Sequence, residues 1–291
     1  LEGWVVKGID IKDDNNRGCS VIHRCDIRDR EMLASIINSD EPDRVFHLAS
    51  LSHIPRSWES PKLVCDINLM GLINLMECLR DNRSTARALI VGSAMEYGAS
   101  LREDEPVTED APLRPENPFA TSKAAQDFIS SQYCQEHGID VVRVRPLRHT
   151  GPWQQDRFLI PYLCRQVARI KRGLADYLVA PSSDIRYDIT DVRDMANAYM
   201  LALDKGKSGE VYNLASGQVC TVGELIDSLK EISGLDFEVR HKNPEDISDL
   251  LHNVVGNGEK FRNATGWTSR IPIEKTLRDT FEHWMDNLPH S

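Results

Sequence analysis

The chain has 291 residues, a formal net charge of −10, 41% hydrophobic and 27% charged residues. This is the composition of an ordinary globular protein with a large core, in one domain or two. It speaks against a general nucleic-acid surface, because no basic run offsets the acidic balance, although a local basic pocket for a phosphorylated small molecule stays compatible with it.

Seven scattered cysteines with no CxxC pair speak for reduced thiols in a cytoplasmic protein and against a disulfide or zinc framework. No metal site is expected. No apolar run of about 18 residues and no signal-peptide pattern occurs, so no membrane association is expected.

The chain opens on Leu1 and already reads as a strand over Val5–Ile9, so residues are expected upstream. Ser20–Cys25 is a second strand, followed by a helix around Arg28–Asn38 and a strand at Arg44–Ala49. Leu63, Ile67, Met70, Asn74 and Cys78, spaced by threes and fours, predict a helix from about Lys62 to Arg80. Ala88–Val91 is a short apolar run of the kind buried on both faces. A helix over Ser122–His137 is closed by Gly138 at its C′ position, and Val141–Arg145 is again a strand. Such βα alternation predicts a parallel, doubly wound, Rossmann-like sheet in an α/β fold.

Beyond His149 the regularity loosens. Gly151-Pro152 breaks the chain, and Leu159–Gly173 is helical. Asp188–Asp194 runs from a strand end or loop into a helix through Leu203, and Val211–Leu214 is a strand. Thr221 caps a helix over Val222–Ser233, with Glu224 at the capping-box position. Phe237–Arg240 is a strand and Ile273–Asn287 a closing helix. Residues 1–150 are therefore expected to form a dinucleotide-binding domain. Residues 151–291 form a smaller mixed lobe for the substrate, with some segments returning to the first domain.

Individual residues carry chemistry. Asp10, at the end of the first strand, is placed to accept hydrogen bonds from an adenosine ribose and to repel a 2′-phosphate, which favours NAD over NADP; it reads equally well as a turn aspartate. Asp26-Ile27 end the second strand near where an adenine would lie. Leu48, Ala49 and Ser50 follow His47 at the next strand end, where backbone approaches a cofactor. The glycine-rich phosphate turn that should open the first helix is not in the sequence, since Gly3 and Gly8 do not make it. A first β-strand, that loop and most of one helix are expected to be missing. Ser93 and Lys123 are two members of a Ser/Tyr/Lys proton-transfer site, and Phe119, one helical turn before Lys123, stands where the tyrosine belongs. Taken alone, Lys123 reads as a solvated helix residue and Ser93 as a strand cap.

Together with Asn68-Leu69-Met70-Gly71, Gly92-Ser93 to Tyr97-Gly98, Asn117-Pro118 to Asp127, Arg145-Pro146 to Pro152, Asp188–Asp194, Val211–Asn213 and Thr265-Gly266-Trp267, these segments make the chain similar to extended short-chain dehydrogenases/reductases of the NAD-dependent epimerase/dehydratase type. Within that family it most resembles the GDP-mannose 4,6-dehydratase and GDP-6-deoxy-mannose reductase branch. The resemblance implies an NAD(P) domain, a nucleotide-sugar lobe with a GDP-sugar favoured, and a homodimer pairing the helices near 62–80 and 122–137. It assigns catalysis to Ser93, the Phe119 position and Lys123, cofactor contact to Asn68 and Lys123, and substrate contact to Ser93, Arg148, His149, Arg186 and Asn213.

Three departures stand out. Phe119 removes the hydroxyl that carries the proton. Met95 occupies the position of the dehydratases' glutamate, which disfavours 4,6-dehydration against simple reduction. Leu147-Arg148 replaces Phe-Asn, and Arg148 is either a phosphate partner or a surface arginine. Glu96, if its segment is extended, points away from the site. The implied activity is reduction of a 4-keto-6-deoxy nucleotide sugar. A 4,6-dehydratase, an epimerase and a catalytically silent sugar-nucleotide binder remain open, as does Phe119 being an engineered substitution.

Overall fold

The computed structural model describes residues 3–12, 18–102, 105–242 and 253–288. Its strands are β1 (Lys7–Asp10), β2 (Val21–Arg24), β3 (Arg44–His47), β4 (Arg87–Val91), β5 (Val141–Pro146), β6 (Arg148–Thr150), β7 (Tyr177–Ala180), β8 (Arg186–Asp191), β9 (Val211–Leu214), β10 (Val219–Thr221) and β11 (Glu238–His241). The helices are α1 (Arg30–Asp40), α2 (Ile54–Glu59), α3 (Pro61–Val64), α4 (Gly71–Asp81), α5 (Pro118–His137), α6 (Leu159–Lys171), α7 (Val192–Lys205), α8 (Val222–Ser233), α9 (Glu259–Thr265) and α10 (Ile273–Asn287). β1 and β2 pair in parallel, and a four-stranded sheet has the order β3-β4-β5-β9 with β3, β4 and β5 parallel. The fold is the α/β Rossmann-like one expected from the alternation.

Two compact units divide the chain. The first comprises Leu1–Gly98, Leu113–Val144 and Gly206–Val211; the second comprises Ala99–Pro112, Arg145–Lys205 and Tyr212–Ser291. In the first, Leu33 and Ile37 of α1 pack with Leu72 and Met76 of α4 and with the β4 residues Ala88 and Ile90. In the second, Leu163 and Val167 of α6 form a core with Leu225 and Leu229 of α8 and with Leu277 and Phe281 of α10. There β8 pairs with β6 in parallel and with β10 antiparallel, while β7 and β11 make a separate parallel pair.

Two helices depart from the expected pattern. Between α3 and α4 the chain is π-helical over Cys65–Met70. The buried side chains are Val64, Asn68, Leu72, Leu75, Met76, Cys78 and Leu79; of the expected stripe Cys78 is buried, Leu63, Ile67 and Asn74 are half-buried, and Met70 is exposed. A π-helical stretch holds an extra residue per turn and so rotates the face that follows. α5 starts four residues earlier than expected. Asn117 caps it by accepting from the Ala120 amide at 2.9 Å, and Pro118 takes N1, where its missing N–H costs nothing. Phe119 therefore lies in the first helical turn.

No helix among the described residues is long and apolar enough to cross a membrane, and all seven cysteines are free thiols.

Candidate active site

In the first unit the residues of interest gather at the carboxyl ends of the parallel strands, where α/β sheets bind ligands. Asp10 ends β1, and its Oδ1 accepts from the Lys12 amide at 2.9 Å. Asp26 follows β2. The Arg28 guanidinium binds both its carboxylate oxygens, at 3.0 and 2.6 Å, and holds it below the usual carboxylate range. Ile27 packs against Gly71, where a Cβ would lie 2.6 Å from the Ile27 Cγ2; the glycine lets α4 approach the loop after β2.

After β3, Leu48 and Ala49 are exposed and Ser50 is half-buried. Asn68, fully buried in the π-helical stretch, ties this loop to α5. Its Oδ1 accepts from the Leu51 amide at 2.7 Å and the Ser50 hydroxyl at 3.2 Å, while its Nδ2 donates to Ser122 Oγ at 2.8 Å. Ser122 in turn donates to the Phe119 carbonyl at 2.7 Å. Gln126 adds bonds from its Nε2 to the Asn68 carbonyl at 2.6 Å and to His47 Nε2 at 3.1 Å. His47 is thus an acceptor at Nε2, and burial holds it neutral by lowering its pKa to about 3, with the Lys123 charge adding to the effect. Sequence reasoning did not single out Gln126; nothing in its spacing distinguishes it from an ordinary helix residue.

Lys123 is buried, and its Nζ donates to the Val91 carbonyl at 2.7 Å, at the end of β4. Burial lowers its pKa to about 8, and the Glu96 carboxylate opposes that shift. Val91 is its one hydrogen-bond acceptor among the described residues, so two of the three ammonium donors remain for a ligand. Ser93, two residues past Val91, accepts at Oγ from the Met95 amide at 3.2 Å. Its hydroxyl proton has no acceptor among the described residues. Phe119 is buried, as is Met95.

The segment Ala94–Ser100 is a 3₁₀ turn, not a strand. The expectation that Glu96 would point away from the site rested on extended geometry and is corrected by this turn. Glu96 is fully buried, and its Oε1 accepts from the Ser93 amide at 2.6 Å. A Cβ at Gly92 would collide with that carboxylate, and a Cβ at Gly98, where φ is +45°, would collide with the Arg114 carbonyl. Ser-x-x-Glu is capping-box spacing, a signal that could have located Glu96.

The remaining expected residues belong to the second unit. The Arg148 guanidinium lies 4.4 Å from the centroid of the Tyr187 ring. His149 directs Nδ1 to the Leu147 carbonyl at 3.1 Å, and burial lowers its pKa. The Arg186 amide donates to Asn253 Oδ1 at 3.0 Å. Asn213 is buried in β9, with Nδ2 donating to the Val107 carbonyl at 2.9 Å and its own amide donating to Glu109 Oε1 at 2.7 Å. Asp188, also buried, accepts from the Ser216 hydroxyl at 2.6 Å and from the amides of Gly217 and Gly256; burial raises its pKa. No group of three or more His, Cys, Asp or Glu among the described residues could hold a metal ion.

Comparison with known proteins finds relatives over most of the chain. The family model for GDP-mannose 4,6 dehydratase matches residues 6–280. The GDP-6-deoxy-D-mannose reductase of Pseudomonas aeruginosa is 32% identical over 265 residues, 91% of this chain and 87% of that protein. GDP-mannose 4,6 dehydratase 2 of Arabidopsis thaliana is 26% identical over 273 residues, 90% of this chain and 71% of that protein. Among solved structures, RMD from Pseudomonas aeruginosa complexed with NADPH superposes with a TM-score of 0.85 at 31% identity, covering 94% of this chain and 93% of that one. Thermus thermophilus UDP-glucose 4-epimerase in complex with NAD gives 0.82 at 27% identity, covering 97% and 92%. The chain belongs to the GDP-mannose 4,6-dehydratase family.

Proposed function

We propose that the chain is an NAD(P)-dependent oxidoreductase that reduces the 4-keto group of a GDP-linked 4-keto-6-deoxy sugar. The observation that carries this reading is the 32% identity to a GDP-6-deoxy-D-mannose reductase over nine tenths of the chain. Met95, buried and without an ionisable group, supports reduction over elimination of water.

The residues fit a dinucleotide at two points: the exposed strand-end carboxylate of Asp10, and the buried ammonium of Lys123 with two uncommitted donors. Asp10 and Asp26 would hold the adenosine, with Ile27, Leu48 and Ala49 beside it. Ser50, Asn68 and Lys123 would hold the nicotinamide ribose. When bound, the nicotinamide supplies the hydride. Asp10 favours NAD, and the charge of nearby Lys12 works against that preference.

Ser93 donates its hydroxyl proton in a hydrogen bond to the keto oxygen as negative charge grows there. Phe119 has no proton to deliver. His149 is a poor acid at neutral pH, since its Nδ1–H is directed to the Leu147 carbonyl and burial lowers its pKa. Water is then the proton source. Arg148, Arg186 and Asn213 are proposed for the sugar nucleotide. We further propose a cytoplasmic homodimer, supported by the exposed apolar side chains of Met70 and Phe128.

A second reading, a silent sugar-nucleotide binder, is favoured by Phe119 alone. The test is oxidation of NADH and NADPH with GDP-4-keto-6-deoxymannose, by the chain as it stands and with Phe119→Tyr. Turnover that rises with the tyrosine supports the reductase. Binding of GDP-sugar without turnover in either form supports the silent homologue. Neither binding nor turnover overturns both.

A further inference from the structure

We propose that Glu96 is a positioning residue for Ser93: its buried carboxylate grips the Ser93 amide and so fixes the direction of the Ser93 hydroxyl. This rests on the reading of Ser93 as the group that meets the substrate oxygen.

A capping-box glutamate ordinarily does its work from solvent, as Glu224 does on α8. Glu96 makes the same contact from a fully buried position, where a carboxylate is costly unless its neighbours hold it. The surroundings are shaped for it. Gly92 has no side chain where the carboxylate lies, and the Gly92 amide is anchored to the Val144 carbonyl at 2.8 Å. Glu96's own amide donates back to the Ser93 carbonyl at 3.1 Å.

Ser93 is therefore held through both of its backbone groups, and its Oγ is held through the Met95 amide. With Oγ accepting from within the turn, the one remaining degree of freedom is the hydroxyl proton. The turn it protects stabilises no long helix, because Gly98 breaks it at φ +45°. What the arrangement secures is the geometry of residues 91–96, which carries both the Lys123 acceptor and Ser93.

The experiment compares the full chain with Glu96→Ala, Glu96→Gln and Glu96→Asp, reading the exchange rate of the Ser93 amide and the kcat and KM for NADPH-dependent reduction of GDP-4-keto-6-deoxymannose. Glu96→Ala is expected to speed Ser93 exchange at least about tenfold, with β4 and β5 amides changed less than about twofold. Its kcat should fall about ten- to a hundredfold, with KM within about threefold, the scale of an unsatisfied buried N–H. Glu96→Gln keeps an acceptor of the same length and should retain both protection and most of kcat.

Unchanged Ser93 exchange in Glu96→Ala overturns the proposal, as does faster exchange with kcat intact. Should Glu96→Ala not fold, Glu96→Asp, a methylene too short to reach, is expected to lose kcat where Glu96→Gln keeps it; the reverse order overturns the proposal. If the unmodified chain and Phe119→Tyr both turn over no 4-keto sugar nucleotide, the functional reading fails, and with it the catalytic part of the proposal. Amide exchange then decides by itself whether Glu96 holds Ser93.

Discussion

Two turns in this protein carry the same local signature, a hydroxyl residue followed three positions later by glutamate. At Thr221 and Glu224 the box opens the twelve-residue helix α8: Thr221 Oγ1 accepts from the Glu224 amide at 3.1 Å, and the Thr221 amide donates to Glu224 at 2.7 Å. At Ser93 and Glu96 one half of that pattern recurs, in a seven-residue 3₁₀ turn broken at Gly98: the Ser93 amide donates to Glu96 Oε1, while Ser93 Oγ accepts from the Met95 amide and not from the Glu96 amide. The first glutamate is exposed and the second fully buried. The shared contact, a glutamate carboxylate receiving the amide three residues before it, thus serves helix initiation in one unit and, on our proposal, placement of the Ser93 side chain in the other. Environment, not motif, decides which.

The largest effect expected comes from restoring, at the start of α5, the hydroxyl that the proposed site around Ser93 lacks. Phe119→Tyr returns a phenol one turn before Lys123, and turnover of a 4-keto sugar nucleotide should rise by about 10²–10⁴, the usual contribution of a positioned acid–base group. Steady-state NAD(P)H oxidation measures it. A rise below about threefold would mean that proton delivery here never depended on position 119.

The paired variants Glu96→Ala and Glu224→Ala test the contrast directly. Glu96→Ala should lower kcat by about ten- to a hundredfold. Glu224→Ala should leave kcat and KM within about twofold, because its box starts a helix that contributes no residue to Ser93 or Lys123. Equal effects from the two would remove the distinction.

Burial also separates the two environments in their response to acid. His47 is neutral when folded, with its pKa lowered to about 3, and has an ordinary value near 6.5 when unfolded. Below about pH 6.5 the unfolded state takes up a proton that the folded state refuses, so stability is lost as pH falls from about 6.5 toward 3. At pH 5 the loss from this one group is about 2 kcal/mol. His47→Gln, which can still accept from Gln126, should show a shallower loss of stability between pH 7 and pH 5 in urea titrations. An unchanged slope would mean that His47 protonates in place.

How much of this was legible in the sequence follows from the same contrast. The βα alternation of the first unit and its parallel pairing were readable, because strand and helix periods are strong local signals and Gly138 and Thr221 mark helix ends, whereas the short elements α2, β6, β7, β10 and α9 were not. So was the box at Thr221, which precedes a long amphipathic helix. Its twin at Ser93 was hidden because no helical period follows it, and the short apolar run before it suggested extended chain.

The π-helical stretch at Cys65–Met70 was likewise invisible. A pattern of threes and fours cannot reveal one inserted residue, and Met70, which that pattern placed on the buried face, is exposed while Cys78 is buried as expected. Ser93, Phe119 and Lys123 were named from motif resemblance. What the sequence could not supply is their wiring: Asn68 to Ser122 to the Phe119 carbonyl, Gln126 to His47, and Lys123 to Val91. Apart from the bond of Ser122 to the Phe119 carbonyl, within one helical turn, these contacts join residues 32 to 79 positions apart, and no local rule links them.

The smallest expected effect belongs to the exposed box. Thr221→Ala removes the acceptor for the Glu224 amide but leaves that amide where water can reach it. The cost is therefore the ordinary one for losing an N-cap, about 1 kcal/mol. An unfolding midpoint in urea, read at constant slope, measures it. The substitution should not alter turnover, although it also removes the donation of the Thr221 hydroxyl to Glu224 Oε2 at 3.1 Å. A loss well above about 2 kcal/mol would show that water does not reach the Thr221 turn, and that this box, like the one at Ser93, works under burial.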